Sequence, residues 1–234
     1  MYVNQHMIDA MYYINLDKRS DRNEHFLNEC NKARIPMSKL KRFSGLDGDT
    51  YAFQEDDLAL FKNADFIGLY NEKKLIGNQL SHYFILKEMV EKKYNSIVIL
   101  QDDVLFRHDF MFQLNKVMKN LPDDAEIIHI GFHKYACGAH FIAWDLTSTD
   151  DFDEIGSLKV NESICHFKDG MNPCSLAYIV TLKGAICLID HFEKNGFLRA
   201  TDGNYNDYLT NKHIFYGTNV VLCTGNPQLG SDIF

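Results

Sequence analysis

Asp102 and Asp103 stand side by side just after the apolar run Ile97-Val98-Ile99-Leu100, with only Gln101 between. Adjacent carboxylates repel one another and are costly unless solvated or bound to a cation, and an all-oxygen donor set favours a hard ion, Mn²⁺ or Mg²⁺. The same pair also suits a solvated turn leading into the next helix. Arg19 and Arg22 follow the first apolar run, at the start of a predicted helix. Arginine there opposes the helix dipole and wants another partner, and two guanidinium groups could grip a diphosphate. The alternative is a pair of exposed surface charges. Asp47-Gly48 could set a carboxylate against ribose hydroxyls or form an ordinary Asp-Gly turn. His129, His133, Cys137 and His140 invite a zinc reading, but their spacing matches neither a zinc finger nor a two-histidine helix site, and His129 falls within a predicted strand. The absence of GxxxxGK, GxGxxG and GxSxG motifs disfavours nucleotide hydrolases, dinucleotide dehydrogenases and hydrolases built on a nucleophile elbow.

These side chains need elements to position them. The apolar run at 11–16 predicts a buried strand. Asp21 with Glu24 has the form of a capping box, and Phe26, Leu27, Cys30 and Ala33 share one face of the helix it would open. A short strand over 41–44 leads into the turn at 45–49, and 51–74 reads as loop with some helix. Residues 76–93 predict a largely buried helix and 97–100 a central parallel strand. Asp109 is placed to cap a helix that ends before Pro122, and 126–132 reads as a strand. Residues 134–172 hold no sustained period and read as a loop-rich insertion, with the sole tryptophan, Trp144, beside an acidic run. Beyond it come a strand at 175–180, a helix at 183–194 closed by Gly196, a helix after Asp202 and a strand at 220–223. Strands alternating with helices predict one α/β domain over 1–234, with a mostly parallel central sheet flanked by helices. Ligands bind such sheets at the carboxyl ends of strands, where the acidic pair lies.

The 24 Lys plus Arg against 32 Asp plus Glu give a charge of −8, which argues against a general nucleic-acid binder, and 46% apolar residues suffice for a core. No stretch approaches the roughly 18 apolar residues of a membrane span, although peripheral membrane contact is compatible. Residues 1–10 carry no signal-like apolar run, so a cytoplasmic protein is expected; 18 Lys against 6 Arg suit an AT-rich bacterial or large-viral genome, hence a bacterial or host cytosol. Six cysteines without paired spacing point to free thiols.

The order of the motifs says more than any one of them. Tyr13-Ile14-Asn15-Leu16-Asp17-Lys18-Arg19-Ser20-Asp21-Arg22, then Leu46-Asp47-Gly48, then Ile76-Gly77-Asn78-Gln79-Leu80-Ser81-His82, then Val98-Ile99-Leu100-Gln101-Asp102-Asp103-Val104 resembles glycosyltransferase family 25. Ala177-Tyr178-Ile179-Val180, Thr201-Asp202 and Pro227-Gln228-Leu229 extend the likeness. The resemblance implies a GT-A fold and inverting transfer, assisted by Mn²⁺, of galactose or glucose from a UDP-sugar. The acceptor would be a hydroxyl of a glycan, a lipooligosaccharide or the hydroxylysine of a collagen-like protein. By position it implies that Asn15, Arg19, Arg22, Asp47 and Gly48 serve the nucleotide, that Gly77, Ser81 and His82 line the floor, and that Asp102 and Asp103 hold the metal. Asp232 or His213 would supply a further ligand. Asp202, with Asp207 second, would be the carboxylate that takes the acceptor proton. Two residues depart from the family pattern: Gln101 where Glu is common, and Asn78 where Cys is common. Gln101 removes a negative charge beside the metal but still accepts hydrogen bonds. The departure leaves open a second reading, an inactive sugar- or nucleotide-binding module on the same fold.

Overall fold

The computed structural model describes residues 7–135, 141–168 and 174–233, so Cys137 and His140 lie outside the described residues. Twelve strands occur among them: β1 (Ala10–Asn15), β2 (Leu40–Ser44), β3 (Ser96–Gln101), β4 (Val104–Phe106), β5 (Ile127–His129), β6 (Lys134–Tyr135), β7 (Phe141–Ile142), β8 (Gly156–Lys159), β9 (Ile164–Phe167), β10 (Ala177–Thr181), β11 (Tyr216–Thr218) and β12 (Cys223–Gly225). The helices are α1 (Ser20–Lys32), α2 (Glu55–Ala59), α3 (Glu72–Glu91), α4 (Phe110–Lys119), α5 (Phe152–Ile155), α6 (Leu182–Asn195) and α7 (Thr201–Asn211).

Eight strands form one sheet in the order β2-β1-β3-β10-β5-β11-β9-β8. β1 lies parallel to both β2 and β3, and β5 parallel to β11. β10 is antiparallel to β3 and β5, and β9 to β11 and β8. Six of the eight strands therefore run one way, and β10 and β9 run against them. β1 is buried along its whole length, and β3 along all but its last residue, because each is flanked by strands on both edges and covered on both faces, which is why their sequences read as unbroken apolar runs. α3 packs on α6 and α7 and touches β1 and β2, while α1 packs on β4.

Local chemistry moves several boundaries. Asp21 does not cap α1: the N-cap is Arg19, whose guanidinium holds the Asp21 carboxylate through two hydrogen bonds of 2.9 and 2.8 Å. Asp109 stands at the N-cap of α4, but its carboxylate accepts from Arg107 Nε at 2.6 Å and Gln113 Nε2 at 2.8 Å. α6 does carry a side-chain cap, with Gly184 N donating to Thr181 Oγ1 at 3.1 Å. Of the strand expected at 220–223 only Cys223 is in a strand, as the first residue of β12, and β11 ends before it at Thr218. The stretch read as loop-rich contributes β8 and β9 to the sheet edge. It is pinned to the body by the buried Asp151 carboxylate, which accepts from Trp144 Nε1 at 2.9 Å and Val221 N at 2.7 Å. Cys30, Cys165, Cys174, Cys187 and Cys223 are free thiols. No helix among the described residues is long and apolar enough to cross a membrane.

His129 is a core residue, packed among the rings of Phe167, Tyr178 and Phe215 at 5.9, 6.2 and 5.9 Å, and neither ring nitrogen has a hydrogen-bond partner. His82 is also fully buried, with Nδ1 2.7 Å from the Tyr178 hydroxyl. Burial depresses both from 6.5 to about 3. Between those values the unfolded chain binds protons that the fold refuses, so their contribution to stability is full above pH 6.5 and lost as the pH falls toward 3. By pH 5 each histidine should cost about 2 kcal/mol relative to pH 8. Thermal unfolding across pH 5–8 should show this decline, and His129→Phe should make it shallower; an equal slope in the variant would remove His129 from the account.

Candidate active site

The carboxyl ends of β1 and β3 lie side by side, and an open crevice lies there. At its base Asp102 is 4% exposed. Burying that carboxylate demands partners, and each oxygen has one: Asn15 Nδ2 donates to Oδ2 at 2.7 Å and Arg22 Nη1 to Oδ1 at 2.9 Å. Asn15 is itself fully engaged, donating also to Arg19 O at 3.0 Å and accepting from Arg42 Nε at 3.0 Å. It ties the end of β1 to the start of α1 and the end of β3.

Asp103 points its Oδ2 to within 4.0 Å of Arg22 Nη1, while its Oδ1 is buried without a hydrogen-bond partner. Burial pushes the Asp103 carboxyl up to about 6, the Arg22 charge opposing and the Asp102 charge reinforcing the rise. Gln101 donates from Nε2 to Ser175 Oγ at 3.1 Å. Ser231, Asp232 and Ile233 close one side of the crevice, and Asp232 Oδ2 accepts from Arg19 Nη1 at 2.6 Å.

The opposite wall is the turn 45–49 against α3. Lys74, Asn78 and Ser81, at i, i+4 and i+7, present one helix face to the crevice. Ser81 Oγ accepts from Leu46 N at 2.9 Å and donates to Gly77 O at 2.7 Å. The turn sits so close that a Cβ at Gly77 would stand 2.3 Å from Leu46 O, and one at Gly48 2.3 Å from Lys73 O. Lys18 Nζ reaches Asp47 Oδ2 at 2.8 Å. Burial raises the Asp47 carboxyl, but Lys18 and the Asp49 amide more than offset it, leaving it below the usual carboxylate range.

Of the residues singled out from the sequence, Arg22, Asp47, Gly48, Ser81, Gln101, Asp102, Asp103 and Asp232 line this crevice, with Asn15 and Arg19 bonded directly behind. Gly77 supports the wall and His82 lies in the core, neither among the lining residues. Asp202 stands in the first turn of α7, after the N-cap Ala200, and is tied toward the crevice through its neighbour Thr201, whose Oγ1 donates to Asn78 Oδ1 at 2.7 Å. Burial raises its carboxyl against the pull of the Gly203 amide. Burial pushes the Cys174 thiol up to about 12, and the charges of Asp202 and Asp103 reinforce the rise. Asp207 is exposed and pairs with Arg199 Nε at 2.9 Å. His213 is exposed just beyond α7, at φ 58°, and lies off the crevice. Lys18, Lys74 and Asn78 are lining residues that pattern reading did not select; the polar stripe 74-78-81 on an otherwise buried helix is the signal that marks the last two.

The chain can be placed by comparison with known proteins. The profile described as "Glycosyltransferase family 25 (LPS biosynthesis protein)" matches residues 8–202. The chain belongs to glycosyltransferase family 25. It is 28% identical over 130 residues to procollagen galactosyltransferase 2 of Homo sapiens, a match that covers 53% of this chain and 20% of the human protein. A Bos taurus protein named "Probable inactive glycosyltransferase 25 family member 3" is 25% identical over 187 residues, covering 76% of this chain and 28% of that one. The matched stretch thus spans well under half of either relative. A crystal structure of a glycosyltransferase involved in glycosylation of the major capsid of PBCV-1 aligns over 97% of this chain and 95% of that one, at 8% identity and a TM-score of 0.37. At that score the likeness carries no weight, and the architecture rests on the strand order itself.

The carboxylates bear on the metal expected from the resemblance. Asp102, Asp103 and Asp232 gather negative charge around one guanidinium, and Asp103 Oδ1 is an orphaned buried oxygen, a donor chemistry that fits a hard cation. The point they share is held by Arg22 Nη1, and no cluster of three or more His, Cys, Asp or Glu side chains placed to hold a metal ion occurs among the described residues. The close wall contacts give a test of their own. Gly48→Ala and Gly77→Ala meet rigid backbone and should each cost about 1–3 kcal/mol in urea unfolding. Gly45→Ala comes closest to side-chain methyls of Ile14 and Leu16, at 3.1 and 3.2 Å, with backbone no nearer than 3.6 Å, and should cost less. Equal costs at the three positions would mean that the turn yields.

Proposed function

We propose that this family 25 glycosyltransferase moves galactose or glucose from a UDP-sugar, with inversion, to a hydroxyl of a glycan, a lipooligosaccharide or a collagen-like protein. The observation that carries the proposal is the crevice at the carboxyl ends of β1 and β3, walled by Lys18, Arg22 and Lys74 and floored by Asp102 and Asp103. Asp47 would meet the ribose hydroxyls, and the cations would meet the diphosphate. Asp102, Asp103 and Asp232 would hold Mn²⁺ or Mg²⁺. When bound, the ion supplies charge neutralisation to the departing diphosphate. Arg22 and Lys74 would add positive charge, already in place, where negative charge grows in the transition state.

Inversion needs a base opposite the leaving group as the anomeric carbon gains cationic character. Asp202 suits this better than Asp207. It is partly buried near the crevice and raised in basicity by its surroundings, whereas Asp207 is held by Arg199 on an exposed face. Asp202 would take the acceptor proton as the new glycosidic bond forms and the sugar–phosphate bond breaks.

Release of UDP from a panel of nucleotide sugars is the test, because slow hydrolysis needs no known acceptor. UDP-galactose or UDP-glucose should release UDP with Mn²⁺ and not with EDTA; no release from either donor would overturn the proposal. Asp103→Ala should abolish the Mn²⁺-dependent part of UDP binding. Once an acceptor is in hand, Asp202→Asn should lower kcat by about 10²–10⁴ while leaving the Kd for UDP nearly unchanged. Retained turnover would move the base elsewhere.

A further inference from the structure

Asp232 Oδ2 is shared by two guanidinium groups. Arg19 Nη1 donates to it at 2.6 Å, and Arg22 Nη1 stands 3.6 Å away while donating to Asp102 at 2.9 Å. The chain around it is gripped by the same arginines: Arg22 Nη2 donates to Gly230 O, and Arg19 Nη2 to Leu229 O at 3.3 Å. Gly230, at φ 70°, turns the backbone so that Ser231, Asp232 and Ile233 face the crevice. Asn71 Nδ2 then donates to Ile233 O at 3.3 Å from the α3 side. One carboxylate oxygen thus sits where the two arginines converge, as an oxygen of a bound phosphate would.

We propose that Asp232 is a specificity-determining counter-anion, which occupies the diphosphate position on Arg19 and Arg22 and makes diphosphate binding conditional on a divalent cation arriving with it. This rests on the reading of the crevice as a nucleotide-sugar site. A bare diphosphate can reach the arginines only by expelling Asp232. The freed carboxylate is then left near Asp102 and Asp103 with its counter-charge taken, a costly arrangement of like charges. A diphosphate carrying a divalent cation offers the freed carboxylate a new partner as it takes the old one. Asp232 therefore selects the metal-chelated ligand over bare anions of the same shape, by raising the cost of the wrong ligand rather than by improving contacts to the right one.

Calorimetric titration of the full chain with inorganic diphosphate and with UDP, each in EDTA and in Mn²⁺ at fixed ionic strength, tests this. Asp232→Asn and Asp232→Ser, each checked for a native melting transition, should bind metal-free diphosphate about tenfold or more tightly than the unaltered protein, the scale of one recovered charge-assisted contact. Arg19→Gln on the Asp232→Asn background should reverse most of the gain. Variants that bind no tighter in EDTA and lose affinity only in Mn²⁺ would overturn the inference, since Asp232 would then be a ligand and nothing more. An unaltered protein that binds neither diphosphate nor UDP in Mn²⁺ would overturn the nucleotide-sugar reading and this inference with it.

Discussion

The cost of burying the Asp102 carboxylate organises the crevice. A charge that is 4% exposed must be answered by hydrogen bonds and a counter-ion or it unfolds its surroundings, and the answers come from Asn15 at the end of β1 and Arg22 in the first turns of α1. Those two contacts lock the junction of β1 and α1 to the end of β3, 80 and 87 residues further along the chain. Once Arg22 is committed to Asp102, the 229–232 segment is drawn in by the same guanidinium, and Arg19 completes the clamp. The crevice is therefore set by an electrostatic requirement at its base.

The two walls are built differently. The turn 45–49 meets α3 through backbone contacts that leave no room for a Cβ at Gly48 or Gly77, so that wall is rigid. The wall formed by 230–233 is held by ion pairs and a few hydrogen bonds, with Gly230 at a left-handed turn. Rigid elements carry the residues that must stay put, and exchangeable charge contacts hold the part that must answer to a ligand.

How much was legible in the sequence follows from burial. β1, β3, β10 and α6 read clearly because strands covered on both faces become unbroken apolar runs, and a helix ending at Gly196, with φ 75°, has a plain stop. β8, β9 and β11 have three or four residues each, too few for any period to show, and their pairing is decided by partners far along the chain. The capping-box reading of Asp21 lost to a stronger local partner, the guanidinium of Arg19. Asp102, Asp103, Arg22 and Asp47 were readable as site residues because charge at the end of an apolar strand or beside a tight turn needs a reason. Lys74 and Asn78 were not, because the helix containing them was judged by its apolar face, and α3 begins at Glu72, earlier than its apolar stripe.

The sheet order carries a consequence for how the chain assembles. Among the described residues, β10 is the one strand that joins the β2-β1-β3 half of the sheet to the β5-β11-β9-β8 half. The first half is complete once residue 101 has emerged from the ribosome, yet the open edge of β3 waits for Ala177–Thr181 before it is paired. For that interval an apolar strand edge is unprotected, and closing it requires the chain to return to β3 after β4 to β9 have been made. Formation of the β3–β10 pair should thus be the slow, late step of folding, and the step at which nascent chains are most exposed to misassociation.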